Sequence, residues 1–262
     1  MVSFGESILK GLLKYLLPGR TAPGPPEREP PDYGQALERS ARTLLRRQKA
    51  LDRERAEACT LVPELLRRPA DRQLLLLCHD HRFQTWGVLE RLLESSRSEL
   101  LADSLESERL AALALAQADH LEEQYYGPTR IADMRARAAV SLGEARRLRS
   151  DFAGAEEAFS EARAHLAAGT GDSLERAFLF EAEATLCHCR RRFAPARDLL
   201  LQAIEIFIEN GEGQRAGGAL VGLAAACRDD GQPARAILLL REAEEVEGAR
   251  RELARAAGAF GE

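Results

Sequence analysis

Aromatic residues and lysine are scarce in this chain, and no run of alternating β-branched residues occurs. Aromatic residues make up 5% of its 262 residues, with one tryptophan, and the only lysines are Lys10, Lys14 and Lys49. The missing alternation gives no support for a sheet. The dominant residues are alanine, leucine, glutamate and arginine, which favour helix. The composition therefore predicts an all-α protein.

Five cysteines are an odd number without the spacing of a disulfide framework, which favours a reducing cytoplasm. The net charge of −5 gives no reason to expect a nucleic-acid partner. A phosphate-cradling glycine loop, a nucleophile elbow and a dinucleotide-binding turn are all missing from the sequence. We therefore expect no cofactor and no enzymatic activity. The predicted location is cytoplasmic, either free or at the periphery of a membrane or a larger assembly.

Two short clusters contain residue types that bind metals, but their spacing does not suit a metal site. His79 and His81 are two residues apart, whereas histidines that share an ion on one helix are three or four apart. On a helix, Cys187 and Cys189 point to different sides, and we expect Cys187 to be buried. We therefore predict no metal site at either cluster.

Small residues recur at a fixed spacing between Ala136 and Glu247. A small residue is followed twelve positions later by alanine in three copies: Gly143 and Ala155, Ala184 and Ala196, Ala224 and Ala236. The copies lie 41 and 40 residues apart, a period typical of helix pairs that stack to share a core. A bulkier residue follows each alanine by four positions and is expected to fill the space between neighbouring pairs: Phe159, Leu200 and Leu240.

This pattern resembles the tetratricopeptide repeat (TPR) family. Leu142 and Gly143, followed by Ala155, Phe159 and Ala162, match the family's Leu-Gly and Ala-x3-Phe-x2-Ala motifs. The other copies have alanine in place of glycine, and their period exceeds the usual ~34 residues. We assign the extra residues to the loops Gly169–Asp172 and Asn210–Gly213. The resemblance implies an all-α, right-handed solenoid of helical hairpins, a TPR-like superhelix.

Four segments follow from these patterns. They are an amphipathic N-terminal helix (1–18), a Pro/Gly-rich linker (19–32), a helical region with a degenerate repeat (33–130), and three TPR-like helix pairs with a C-terminal capping helix (131–262). We place the degenerate repeat at Trp86, Leu89 and Leu93 in its first helix and at Ala114, Ala118 and Leu121 in its second. An insertion around Glu94–Asp103 is expected between the two helices. Pro63 is expected to break or kink the helix that precedes them.

The first segment has one wide apolar face and is too short and too charged to span a bilayer. That face comprises Phe4, Ile8, Leu9, Leu12, Leu13 and Leu16. Three interpretations remain open: the helix folds back onto the solenoid, lies on a membrane surface through residues 1–17, or docks into the groove of a partner. We interpret it as a docking or targeting element on a tether.

A basic face on the helix after the linker carries Arg39, Arg42, Arg46, Arg47, Lys49 and Arg53. We favour a solvated face paired with nearby acidic residues (Glu38, Asp52, Glu54 and Glu57). The alternative is contact with phosphates or with an acidic partner.

In TPR proteins, the first helix of each pair lines a groove that holds a peptide or a helix. The positions that the resemblance assigns to this groove are Arg137, Val140, Glu144, Arg147, Phe178, Glu181, Thr185, His188, Gly218, Val221, Ala225 and Arg228. An exposed Phe178 with nearby arginines would suit an apolar anchor flanked by acidic residues. The alternative is a groove that has no ligand or holds the chain's own Tyr33–Arg68 helix.

The resemblance implies a non-enzymatic protein–protein interaction scaffold or adaptor with a protein or peptide partner. The alternative is a regulatory or peptide-sensing subunit that controls an enzyme or a transcription factor. Many bacterial regulators join a DNA-binding head to such repeats, but this sequence has no helix-turn-helix pattern. A sensor should change shape or affinity when its ligand binds, whereas a scaffold should not.

Overall fold

The computed structural model describes residues 33–244, and every regular element in that range is helical. The elements are α1 (Tyr33–Leu66), α2 (Ala70–His79), a 3-10 turn (His81–Phe83), α3 (Trp86–Glu99), α4 (Ser104–Ala118), α5 (Glu123–Tyr126), α6 (Pro128–Leu148), α7 (Phe152–Ala167), α8 (Ser173–Cys189), α9 (Phe193–Glu209), α10 (Gly213–Asp229) and α11 (233–244, where the description ends). The predicted N-terminal helix, linker and C-terminal capping helix lie outside the described residues.

The chain divides into two compact units between Arg46 and Arg47, within α1. The second unit contains four helix pairs: α3 with α4, α6 with α7, α8 with α9, and α10 with α11. Each pair packs against the next, so the predicted fold class, a TPR-like helical solenoid, is confirmed. The segment boundaries that the sequence suggests remain a prediction.

The turn inside each of the last three pairs has the same backbone geometry. Ser150, Arg191 and Gly231 adopt left-handed φ angles of 63°, 59° and 77°. The next residue donates its N–H to the carbonyl five positions earlier, as in a Schellman cap: Asp151 to Arg146 at 3.0 Å, Arg192 to Cys187 at 2.8 Å and Gln232 to Cys227 at 2.9 Å. This cap ends the first helix and reverses the chain, so that the second helix packs back on the first.

Two glycines permit close contacts between helices. A Cβ atom on Gly143 would lie 2.3 Å from Cε1 of Phe159, so a side chain there would collide with the buried ring. A Cβ atom on Gly87 would lie 2.4 Å from the carbonyl of Glu54, so α3 meets the backbone of α1 at that point. The repeat pattern predicts the contact at Gly143. It does not reveal Gly87, which lies outside the repeated positions.

Pro63 does not break α1, which continues through it to Leu66. Pro63 itself is exposed, while Val62 and Leu65 beside it are buried in the core of the second unit. The apolar contacts of Val62 and Leu65 keep this part of α1 packed on the core of the second unit, although Pro63 has no N–H to donate to the helix.

The expected insertion at Glu94–Asp103 is mostly helix, because α3 continues to Glu99. Ser96 and Ser107 are both buried, and their hydroxyl oxygens are 3.1 Å apart across α3 and α4. This small, hydrogen-bonded pair keeps the end of α3 packed on α4. The extra length of the repeat also lies largely in helices, since only residues 210–212 separate α9 from α10.

The bulky residue of the second helix fills the space between pairs in two copies out of three. Phe159 and Leu200 are 1% and 5% exposed, as the sequence predicts, but Leu240 is 43% exposed. Phe159 shares a core cluster with Leu179 of the following pair. The described residues contain no pair after α11 that could cover Leu240 in the same way.

Candidate functional site

The first helices of the four pairs contribute charged side chains that surround Glu144. Its carboxylate interacts electrostatically with Arg97 on α3, Arg147 on α6, Glu181 on α8 and Arg215 on α10. These interactions place the four helices along one surface, here called the first-helix face. We define it by the residues Arg97, Arg137, Val140, Glu144, Arg147, Phe178, Glu181, Thr185, His188, Arg215, Gly218, Val221, Ala225 and Arg228.

Glu144 and Glu181 are partly buried acidic residues on neighbouring first helices. Burial is the main cause that raises the pKa of Glu144 above its ordinary value, and the nearby Glu181 raises it further. Burial also raises the pKa of Glu181, while Arg215 opposes the change from 3.6 Å. No donor hydrogen-bonds to the Glu144 carboxylate among the described side chains. The centre of the face therefore carries a carboxylate that its own arginines stabilise incompletely.

Phe178 is less accessible than the sequence suggests. Its side chain is half-buried, with the guanidinium of Arg215 4.4 Å from its ring centroid and the ring of Phe207 5.7 Å away. Cation–π and aromatic contacts thus hold it within the fold. The more open apolar side chain is Val221, which is 50% exposed, and the Cβ position of Gly218 has nothing within 4 Å.

Arg137 joins two neighbouring pairs. Its Nε donates to both carboxylate oxygens of Glu175, at 2.7 and 2.8 Å, and its Nη2 makes a further close contact with Oε1. Glu175 is buried, and its hydrogen bonds raise the pKa of Arg137. Removing Arg137 would leave the buried Glu175 carboxylate without its partner, whereas Arg137 itself is 47% exposed and would remain partly solvated if Glu175 were removed. The main role of Arg137 is therefore to join α6 and α8.

Three further predicted positions are also engaged within the protein. His188 Nε2 lies 2.8 Å from Asp229, and Arg228 contacts the same carboxylate at 2.8 Å. Arg228, and then His188, lower the pKa of Asp229 to about 2. The Thr185 hydroxyl donates to the carbonyl of Glu181 at 2.9 Å, within its own helix. Because these groups already have partners, they are poorer candidates for binding a ligand.

Arg97 and Arg147 lack such partners. Within the part of the chain that the structure describes, neither guanidinium has a carboxylate within 4 Å. Arg147 Nη1 is 3.8 Å from Sγ of Cys189, and its buried Nε has no hydrogen-bond partner. Arg97 is exposed. The face therefore offers two incompletely neutralised guanidinium groups near Glu144.

The sequence analysis missed Arg97, Arg215 and Asp229. Arg97 belongs to the first pair, for which the sequence pattern relies on Trp86 and an expected insertion at Glu94–Asp103. Ser96 and Ser107 take the places of Gly143 and Ala155 in the first pair, but they are eleven residues apart instead of twelve, so the fixed spacing does not identify them. With that alignment, Arg97 occupies the position equivalent to Glu144. Arg215 and Asp229 lie just outside the positions that the family pattern assigns to the groove.

Of the two clusters that resemble metal ligands, the one at His79 and His81 is outside the residues that define this face, whereas Cys189 of the other lies 3.8 Å from Arg147 of the face. His79 ends α2, and Nδ1 of His81 in the following turn is 2.9 Å from Oε1 of Gln84. Cys187 is half-buried, which raises the pKa of its thiol, while Cys189 is exposed. Residues 33–244 contain no group of three or more histidine, cysteine or acidic side chains arranged to hold a metal ion. No helix in that range is long and apolar enough to cross a membrane.

Among solved structures, the chain is similar to the nearly identical TPR-like repeats of a putative kinesin light chain from Podospora anserina. The identity is 17%, the match covers 80% of this chain and 97% of the other, and the TM-score is 0.49. No protein-family model and no curated protein matches the sequence. The residues predicted for the N-terminal docking helix, Phe4 to Leu16, lie outside the described range.

Proposed function

We propose that the protein is a non-enzymatic interaction scaffold whose first-helix face binds a peptide or helix of a partner protein. The observation that supports this proposal is the pair of incompletely neutralised guanidinium groups, Arg97 and Arg147. The partner would place an acidic side chain between them and an apolar side chain against Val221 and Gly218.

The charges on the face explain why an acidic group fits. Glu144 interacts electrostatically with both arginines, yet its carboxylate forms no hydrogen bond with either guanidinium. A carboxylate of the partner that reaches Arg97 and Arg147 would gain charge-assisted hydrogen bonds, worth about 1.5–3 kcal/mol each. Arg137, His188 and Arg228 would contribute less, because each already contacts an acidic residue.

The segment 1–18 supplies a second attachment point in this proposal. Its apolar face and the Pro/Gly-rich stretch 19–32 are sequence features of a docking element on a tether. Once one of the two attachments has formed, the tether keeps the other binding site nearby and so raises its effective concentration, without a larger interface. The scaffold would thereby hold the partner of the first-helix face near whatever the N-terminal segment binds.

The experiment is a quantitative pull-down from lysate of the source cell, with full-length protein and mass spectrometry. The test variant is Arg97→Glu combined with Arg147→Glu, and the control is Arg176→Glu on an exposed position of α8 outside the face. We expect the test variant to lose partners that the control retains, with unchanged helicity by circular dichroism. Retention of every partner by the test variant would contradict the proposal for this face.

A second arm of the experiment removes residues 1–20. Partners lost only on this truncation belong to the N-terminal segment, and partners lost only in the charge variant belong to the first-helix face. A change in scattering profile when an isolated partner peptide binds would favour the regulatory or sensing alternative over a passive scaffold.

A further inference from the structure

Glu144 lies at the centre of the first-helix face, and its carboxylate has no direct partner among the described residues. Its side chain is partly buried on α6, and Arg147 follows one helical turn later on the same side. Nη1 of Arg147, however, lies 3.8 Å from Sγ of Cys189. No ion pair or hydrogen bond joins the Glu144 carboxylate to a described residue. Its charged neighbours therefore act on it only from a distance.

Those neighbours are on four different helices. Arg147 on α6, Arg97 on α3 and Arg215 on α10 favour the ionised form of this carboxylate. Burial disfavours it most, and Glu181 on α8 disfavours it further. Arg215 also has other contacts, since it lies 3.6 Å from the Glu181 carboxylate and 4.4 Å from the ring centroid of Phe178. Arg97 and Arg147 are thus the cationic neighbours that are free to bind another acidic group.

The helices α4 and α7 also pack against α6, on the sides away from the first-helix face. Their acidic residues are paired or exposed: Glu106 with Arg109, Glu108 with Arg146 and Arg149, Glu156 with Arg190, Glu161 near His165, and Glu157 exposed. Glu181 is the acidic group with the largest effect on Glu144. The protonation of Glu144 therefore depends mainly on burial and on the charges of the first-helix face.

The proposed function places a carboxylate of the partner between Arg97 and Arg147, and so beside Glu144. We propose that binding of this carboxylate is coupled to the uptake of one proton by Glu144, so that the face binds acidic partners more tightly at mildly acidic pH. The inference rests on the proposed function and adds how that site is regulated. The proton comes from solvent, and the Glu144 carboxyl group then donates its O–H to the partner's carboxylate.

The direction of the pH dependence follows from like-charge repulsion. Burial already raises the pKa of Glu144 above its ordinary value in the free protein. A bound carboxylate adds a second negative charge and competes for Arg97 and Arg147, so the pKa of Glu144 is higher in the complex. The complex then binds more protons than the free protein. Affinity therefore falls as pH rises through the range between these two pKa values.

Glu181 and the partner's own carboxylate suit the proton less well. Burial also raises the pKa of Glu181, but Arg215 at 3.6 Å favours its ionised form. The partner's carboxylate would lie between two guanidinium groups, which lower its pKa. Glu144, without a direct partner, is the acidic group that takes up a proton at the smallest cost.

The test uses the full-length protein and a peptide probe selected for the first-helix face. Phage-displayed random peptides of about twelve residues are selected on the immobilised protein at about pH 6.5. The probe is an enriched peptide that contains an acidic residue but no histidine, which would itself titrate in this range. It must also fail to bind Arg97→Glu combined with Arg147→Glu. Titration calorimetry in buffers of different ionisation enthalpy then gives its Kd and the number of protons taken up.

We expect the affinity of the wild type to rise as pH falls from about 7.5 to about 5.5, by up to about tenfold per pH unit, the limit for one proton. Glu144→Gln resembles the protonated residue, so it should bind the probe more tightly than the wild type at about pH 7.5 and show little pH dependence. Glu181→Gln removes a like charge and should shift the dependence to lower pH. Glu157→Gln, at an exposed position of α7, should match the wild type.

Failure of the proposed function and failure of this inference give different results. If the library yields no peptide whose binding needs Arg97 and Arg147, both are wrong. If such a peptide binds without proton uptake, and its Kd changes by less than about twofold over this pH range, only the coupling is wrong. A pH dependence that persists in Glu144→Gln would assign the proton to another group and would also overturn the inference. The proton count for the wild type decides the coupling even if a variant folds poorly.

Discussion

The pairs α6–α7 and α10–α11 have the same small-residue pattern but different environments. Phe159 in α7 is 1% exposed, whereas Leu240 at the equivalent position of α11 is 43% exposed. The following pair covers Phe159, and the described residues contain no pair after α11. The difference shows that the bulky residue of the second helix stabilises the stack only when the following helix pair covers it. This is expected for a repeat protein, whose stability depends on the interfaces between neighbouring repeats.

The largest effect in this comparison is expected from Phe159→Ala. The ring is buried between α6, α7 and α8, so its loss removes apolar contacts and leaves a cavity. We expect the free energy of unfolding to fall by about 3–5 kcal/mol, measured by urea denaturation. A loss below about 1 kcal/mol would mean that the interface between these pairs contributes little to stability.

Replacing glycine by alanine should lower the free energy of unfolding at position 143 and raise it at position 222. Gly143→Ala forces a Cβ atom against the buried Phe159 ring, and we expect a loss of about 1–3 kcal/mol. Gly222→Ala, in the equivalent helix of the last pair, meets only Leu200 at 3.5 Å, an ordinary contact. Its higher helix propensity should increase stability by up to about 1 kcal/mol. Equal effects at both sites would show that helix proximity does not explain the glycine at position 143.

Leu240→Ala should have a smaller effect than the same change at Leu200. Leu200 is buried, so its truncation should cost about 2–5 kcal/mol. The half-exposed Leu240 already contacts water, and we expect a loss below about 1 kcal/mol. The two variants are compared by thermal and urea unfolding. If Leu240→Ala were as destabilising as Leu200→Ala, α11 would have to be covered by residues beyond 244.

The final prediction concerns Glu144, where the first helices of all four pairs interact. Burial raises its pKa, so the folded state retains a proton that the unfolded state releases as pH rises above the ordinary value of about 4.5. This group therefore lowers the free energy of unfolding as pH rises from that value through the raised pKa.

Glu144→Gln removes that titration, and we expect stability to fall less steeply with rising pH over the same range. The measurement is urea unfolding at several pH values. Glu157→Gln, an exposed position on α7, serves as the control and should keep the wild-type slope. Identical slopes for all three proteins would show that Glu144 titrates alike in the folded and unfolded states.

The fold was predictable because its signal is local and repeated. Gly143, Ala155 and Phe159 recur as equivalents at a period near 40, and the structure forms helix pairs at these positions. The first pair was assigned incompletely because Ser96 and Ser107 replace the expected glycine and alanine. Gly87 could not be found from the repeat, since its role depends on contact with Glu54 in a separate helix.

The candidate site was only partly predictable. The family pattern gave positions such as Glu144 and Arg147, but residue type and position do not reveal which charges are already paired. Arg137 is bound by the buried Glu175, and Phe178 lies beneath Arg215. Arg97 is available, although no pattern in its own pair identified it.

By itself, the sequence determined the helical class, the stacking period and the small residues at which helices meet, because these depend on side-chain volume and periodicity along the chain. Only the tertiary structure decided which bulky residues are buried, which arginines remain without a carboxylate and which carboxylate is desolvated. Those properties depend on neighbours about 40 residues away in sequence, which the next helix pair brings within hydrogen-bonding distance.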